Sequence, residues 1–128
     1  MKKILFIALS ILTLFADMKN IEASSQNISK INVKIIDIRT PGEWTQTGIV
    51  PNSKTLMFFD ERGGYNIQKF LDGLNALVKP KEEFAILCRS GSRTRTLAPF
   101  LAQQGYNVIN LVGGINHYMR TGGKTVRP

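Results

Sequence analysis

The sequence predicts an α/β fold, a central parallel β-sheet with helices on both faces. Three observations point to it. Short β-branched or apolar runs alternate along the chain with stretches whose apolar residues recur at helical spacing. Two of those runs, at 33–38 and 84–87, end abruptly in charged or polar residues, as strands do where a parallel sheet presents its ligand-binding edge. And the only cysteine, Cys88, falls at the second of these strand ends. At 128 residues the chain is one domain at most, with no repeat, low-complexity tract or second domain in view.

The elements follow in order. Residues 24–30 are polar and read as a mobile start; the sequon Asn27-Ile28-Ser29 is too short a match to carry weight. Val33 to Ile38 is β-branched and reads as a strand. Thr40 then reads as a helix N-cap, with Pro41 in the first helical position and Glu43 in the third, a capping box. That helix is short, because Gly48 and Pro51 stop it. Lys54 to Met57 is a short strand candidate, and Asp60 to Gly64 a loop. Ile67, Phe70, Leu71, Leu74, Ala76, Leu77 and Val78 form one apolar face of a helix that Lys79-Pro80 ends. Phe84 to Leu87 suits a buried strand, and Thr94 to Gln104 a helix with Leu97, Ala98, Leu101 and Ala102 inward. Gly105 closes it in the C-cap manner. Val108 to Leu111 is the last strand; Gly113-Gly114 turns the chain into a final helix, Ile115 to Arg120.

The N-terminus reads differently. Met1-Lys2-Lys3 is basic, and Ile4 to Phe15 is apolar except for Ser10 and Thr13. This pattern fits a secretory signal peptide over residues 1–23, cut after Ala23 with Ile21 and Ala23 flanking the site, or less well after Ala16. An uncleaved anchor is the alternative, although the run is short for a membrane span. On the signal-peptide reading the domain occupies 24–128, is exported to the periplasm, and keeps no stable membrane insertion after cleavage. A lone cysteine there makes no internal disulfide, and one cysteine with one histidine makes no zinc site. The formal net charge is +8, but the basic residues are scattered. Only Arg89, Arg93 and Arg95 cluster, around Cys88. The charge therefore reads as solubility and attraction of small anions, with no nucleic acid as partner.

Cys88-Arg89-Ser90-Gly91-Ser92-Arg93 is the stretch that carries chemistry. At a strand-to-helix junction, successive amides converge on one spot and the helix terminus adds positive potential. Both effects, and the flanking arginines, favour thiolate over thiol, and the thiolate is the nucleophile. An inert core cysteine is the bland reading. It leaves unexplained a sequel too polar and glycine-bearing to continue a strand.

Taken together, these residues resemble the rhodanese family of sulfurtransferases over roughly residues 33–125. Ile35-Ile36-Asp37-Ile38-Arg39 is similar to that family's Asp-x-Arg strand, and Pro41-Gly42-Glu43-Trp44 to the segment after it. Cys88 to Arg93 is similar to its active-site loop, and Leu111-Val112-Gly113-Gly114-Ile115 to its closing element. Ile49 stands where the family usually has histidine and Tyr118 where tryptophan is common. The usual strand and helix before the Asp-x-Arg strand look shortened. The resemblance implies a rhodanese-like fold and a sulfurtransferase that needs no cofactor and no metal. Cys88 would be the catalytic nucleophile, taking sulfur from a small anionic donor such as thiosulfate and passing it to cyanide or a thiol. Arg89, Ser90, Gly91, Ser92 and Arg93 would bind substrate through the loop, and Asp37, Arg39 and Glu43 would support the site. Arg93 is expected to pair with a carboxylate, with Glu43 the candidate. The oligomeric state is left open.

A phosphatase or arsenate reductase of the same fold is the nearest rival. Its loops place five residues between cysteine and arginine, whereas four separate Cys88 from Arg93, and Thr94 holds the next position. A non-catalytic binding module has no need of the thiol. A thiol-redox protein lacks a second cysteine. His117 has nothing to place it beside Cys88. Gly123-Lys124-Thr125 fails as a phosphate loop for want of the earlier glycine. Trp44 reads as filler at the core edge.

Overall fold

The computed structural model describes residues 18–128. The elements are β1 (Met18–Glu22), α1 (Ser25–Lys30), β2 (Lys34–Asp37), α2 (Pro41–Thr47), β3 (Lys54–Thr55), α3 (Ile67–Leu77), β4 (Phe84–Leu87), α4 (Ser92–Gln103), β5 (Val108–Val112) and α5 (Gly114–Arg120). The five strands form one sheet in the order β1-β5-β4-β2-β3, and every pairing is parallel. This is the α/β architecture the alternation predicts.

Period-two alternation divides the strand residues between two cores. Ile36, Ile86 and Val108 face one side, where Phe70, Leu74 and Val78 from the α3 segment and Leu97, Ala98 and Leu101 of α4 cover them. Ile35, Ala85, Leu87, Ile109 and Leu111 face the other, under Ile28 of α1 and Ile115 and Tyr118 of α5. β4 is buried at all four positions, as expected of a strand flanked on both edges and covered on both faces. Its C-terminal end therefore delivers Cys88 to a fixed point.

The local signals at the helix ends are realised. Thr40 Oγ1 accepts from Glu43 N at 3.3 Å while Thr40 N donates to Glu43 Oε1 at 3.2 Å. Beyond α4, Gly105 N returns to Ala102 O at 3.0 Å. β3 is shorter than the Lys54–Met57 expectation, because only Lys54 and Thr55 register with β2.

The larger difference lies before β2. Residues 24–30 are not a mobile start. Ser25–Lys30 is a helix whose N-cap Ser24 accepts from Asn27 N. Its sequence has little helical preference of its own, and tertiary contacts hold it. Ser25 N donates to Thr121 Oγ1 at 2.8 Å and Ser25 Oγ to Thr121 O at 2.6 Å, while Ile28 is buried. Met18–Glu22 pairs with β5 along its whole length, and Ala23 N donates to Val112 O at 2.8 Å. A strand and helix thus precede β2, although the sequence suggested they were curtailed. The basic and apolar start assigned to a signal peptide lies, through residue 17, outside the described residues. Its expected end at Ala23 overlaps β1, so a cut there would remove an edge strand, whereas a cut after Ala16 would leave it whole. No helix among the described residues is long and apolar enough to cross a membrane.

Candidate active site

Cys88 follows β4 directly and is fully buried. Gly91 N donates to its Sγ at 3.2 Å, and Thr94 Oγ1 lies 3.6 Å from the same sulfur. Gly91 is the N-cap of α4, at φ +101°, and offers no side-chain cap. The loop thus reverses through a left-handed residue, and no side chain caps the first turn of the twelve-residue α4. A side chain at Gly91 would also meet Gly113 N at 2.9 Å.

The outer face of the loop is fastened by α5. Ile115 N donates to Cys88 O at 2.9 Å, and Asn116 N to Arg89 O at 3.0 Å. These two bonds fix the peptide planes that follow Cys88 and Arg89. The close approach depends on Gly114, at φ +62°, where a Cβ would fall 2.5 Å from both carbonyl oxygens. Gly113-Gly114, legible in the sequence as a turn, is therefore a docking surface for the cysteine loop.

Arg93 leaves α4 toward α2. Its Nη1 donates to Glu43 Oε1 at 2.8 Å and its Nη2 to Oε2 at 2.7 Å, a two-pronged pair across fifty residues of sequence. The guanidinium holds the Glu43 carboxyl at about 2 against its usual 4.5; burial opposes this, and the Thr40 amide adds to it. Arg93 is pushed up in turn, chiefly by Glu43, with smaller contributions from the charges of Cys88 and Asp37. Because Glu43 is depressed in the folded state, its stabilisation is complete above about pH 4.5 and is lost as pH falls toward 2. Glu43→Gln keeps the cap geometry and removes the charge. It is expected to cost on the order of 2 kcal/mol at neutral pH and to flatten the acid limb of the stability profile. Urea unfolding across that interval measures both. An acid limb as steep in the variant as in the wild type would assign the dependence to another group.

Asp37 and Arg39 lie one layer deeper and are wholly buried. Arg39 Nη2 meets Asp37 Oδ2 at 2.8 Å, and Nε meets Oδ1 at 3.0 Å. The same guanidinium donates to Thr47 Oγ1 at 2.8 Å and Gly48 O at 2.9 Å, so it clasps the C-terminal end of α2. Trp44 is not only filler at the core edge, because its indole Nε1 donates to Asp37 Oδ1 at 3.2 Å. The pair thus fixes α2, and α2 fixes Glu43 for Arg93.

Arg89, Ser90 and Ser92 are exposed. Arg89 and Arg93 line a cavity of about 590 Å³ beside the loop, with Thr40, Glu43, Phe59, Asp60, Glu61 and Gly63. The two positions that depart from the resemblance serve packing. Ile49 is buried and exchanges backbone bonds of 2.8 and 2.9 Å with Val126. Tyr118 donates to Lys124 O at 2.6 Å, and its burial pushes its phenol up. Among the described residues no hydrogen bond joins His117 to Cys88, whose sulfur has Gly91 and Thr94 as its partners there. Among the described residues no three metal-ligating side chains converge. Reading the sequence missed two contributors, Thr94 at the sulfur and the Trp44 indole on Asp37. For Thr94 the available signal was its place in the first turn of the helix after the cysteine.

The site is thus a buried cysteine whose sulfur accepts from the Gly91 amide, with four residues between it and an arginine tethered by Glu43. The model of the rhodanese-like domain matches residues 21–121. The chain belongs to the rhodanese family. Among its relatives is a sulfurtransferase of Allochromatium vinosum, 34% identical over 110 residues, covering 84% of this chain and 92% of that protein. An uncharacterized protein of Rickettsia prowazekii is 35% identical over 88 residues, covering 65% and 69%. Of solved structures, one from Staphylococcus saprophyticus superposes with a TM-score of 0.63 at 28% identity, over 84% of this chain and 99% of that one. A rhodanese-related protein of Thermoplasma volcanium gives 0.64 at 23% identity over 86% and 99% and shows the shared fold. The rhodanese match begins inside β1 and ends just past α5, so the elements that hold the cysteine loop all lie within it.

Proposed function

We propose that this rhodanese is a sulfurtransferase that carries sulfane sulfur as a persulfide on Cys88. The observation that carries the reading is the sulfur's position, under Gly91 N at 3.2 Å and at the uncapped start of α4. The Cys88 thiolate attacks the outer sulfur of thiosulfate or a similar anionic donor. The donor's S–S bond breaks, and its electron pair leaves on sulfite. The extra sulfur stays on Sγ, its charge facing the loop amides of residues 89–93, as an oxyanion faces its donors. Cyanide or an acceptor thiolate then attacks that outer sulfur, and the electron pair of the breaking bond returns to Sγ. The cycle is ping-pong and needs neither an oxidant nor a cofactor. Arg89 meets the donor's charge, Ser90, Gly91 and Ser92 shape the cradle, and Arg93 with Glu43, Asp37 and Arg39 keeps the loop in place. Intact-protein mass spectrometry after exposure to thiosulfate tests this. A gain of one sulfur atom, mapped to Cys88 and discharged by cyanide, is expected; an unmodified Cys88 would overturn the reading.

Export is part of the proposal and rests on the basic start and the apolar Ile4–Phe15 run. The pairing of β1 with β5 along its whole length supports cleavage after Ala16, which keeps that strand in the mature chain. N-terminal sequencing of native protein is expected to begin at Asp17. A start at Ser24 would mean that the mature domain lacks β1, and an intact Met1 would remove cleavage altogether.

A further inference from the structure

The cavity beside the cysteine loop is not a simple anion bowl. Its lining holds two arginines, Arg89 and Arg93, against three carboxylates, Glu43, Asp60 and Glu61. Most of these charges are already engaged. Arg93 and Glu43 neutralise each other through two bonds. One oxygen of Asp60 accepts from Arg62 N at 2.9 Å and Gly64 N at 2.8 Å, closing its own loop. Two opposite charges remain without a partner among the described residues, Arg89 and Glu61. Neither is loosely anchored at the backbone. The Arg89 carbonyl is bonded to α5. Glu61 lies in a turn pinned by Asp60 N to Gly64 O at 2.8 Å and by Phe58, which stacks on Tyr65 at 5.2 Å and meets Phe70 edge-on at 4.9 Å. The Glu61 carboxylate reaches the first turn of α2, with Oε1 3.8 Å from where a Cβ on Gly42 would stand. Phe59, partly buried, adds an apolar wall.

A purely anionic acceptor entering here meets more carboxylate than guanidinium, and a purely cationic one meets Arg89. A small zwitterion satisfies both free groups at once. We propose that the acceptor of this sulfurtransferase is a zwitterionic, amino-acid-type thiol, with its carboxylate on Arg89 and its ammonium on Glu61, which makes Glu61 a specificity-determining residue. The proposal rests on the persulfide reading above. In the discharge step the bound thiol's thiolate attacks the outer sulfur of the Cys88 persulfide. The Cys88 S–S bond breaks with its electron pair returning to Sγ, and the acceptor leaves as a persulfide.

The test is a single-turnover discharge. Cys88 is loaded with thiosulfate, excess donor is removed, and loss of the sulfur is timed with L-cysteine, 3-mercaptopropionate, cysteamine and, as a reference bearing neither ammonium nor carboxylate, cyanide. Comparing variant with wild type for each thiol cancels that thiol's own nucleophilicity. An exposed charge contact contributes up to about 1 kcal/mol, a factor of about five in rate constant per concentration. Glu61→Gln is therefore expected to slow discharge by cysteine and cysteamine several-fold relative to cyanide, and to spare or speed 3-mercaptopropionate. Glu61→Lys should move the variant-to-wild-type ratios further apart, lowering that for cysteine and raising that for 3-mercaptopropionate. Arg89→Gln should slow cysteine and 3-mercaptopropionate but not cysteamine. Discharge by cyanide with variant-to-wild-type ratios that are the same for all three thiols in both Glu61 variants would overturn this inference alone. Failure of wild type to load or to yield thiocyanate would remove the sulfur-transfer reading and this inference with it.

Discussion

Cys88→Ser is expected to abolish sulfur transfer, lowering thiocyanate formation from thiosulfate and cyanide by at least about a thousandfold, while the fold survives. A serine hydroxyl fits the space of the thiol and keeps an acceptor for Gly91 N, which now bonds Sγ at 3.2 Å. It is scarcely ionised near neutral pH and has no route to a persulfide. The change therefore separates chemistry from structure. Thermal unfolding should shift little, and the mass gain after thiosulfate should vanish together with turnover. Thiocyanate formation that persists in the variant would mean that the sulfur travels by a path that does not include Cys88. Release of phosphate from an aryl phosphate by wild type, without thiocyanate, would hand the loop to the phosphatase alternative. The four-residue gap to Arg93 and the tethering of that arginine by Glu43 argue against such an outcome, because the guanidinium is already occupied.

The second large effect is expected far from the sulfur. Arg39→Ala should destabilise the protein by about 3–5 kcal/mol, the usual cost of stripping one partner from a buried ion pair. Asp37 would be left charged, fully buried and short of its main donor. The same substitution frees Thr47 Oγ1 and Gly48 O at the end of α2. Asp37→Asn, which keeps an acceptor for Trp44 Nε1 and for Arg39, should cost less. Urea unfolding measures both, and a loss below about 1 kcal/mol for Arg39→Ala would show that α2 is held by other contacts. Because α2 carries Glu43, loosening it should also weaken the hold on Arg93, so any residual activity of Arg39→Ala should resemble that of a Glu43 variant.

The parts of this protein that were readable from its sequence share one property: their cause lies within a few residues. The capping box needs only Thr40 and Glu43 three positions apart. The buried strand needs only Phe84 to Leu87. The cysteine loop announces itself because a single thiol sits between an apolar run and a helical one, in a polar sequel that neither element would tolerate. β1 and α1 carried no such local cause. Met18–Glu22 exposes most of its side chains as an edge strand, so its alternation is faint beside the apolar run that precedes it. Ser25–Lys30 is helical because Thr121, nearly a hundred residues later, supplies partners to Ser25.

The sequence by itself determined that its one cysteine stands at the end of a buried strand and ahead of a helix, since both follow from short-range patterning. Only the tertiary structure decided how that cysteine is surrounded. The clamp of α5 on the carbonyls of Cys88 and Arg89, the approach of Thr94 to the sulfur, the Trp44 indole on Asp37 and the turn that brings Glu61 to the cavity wall join segments distant in sequence or turned toward one another by packing. The physical reason is that a buried polar group must find a partner wherever the packed chain offers one. That choice is made by the arrangement of whole elements, and it leaves no mark in the neighbouring residues.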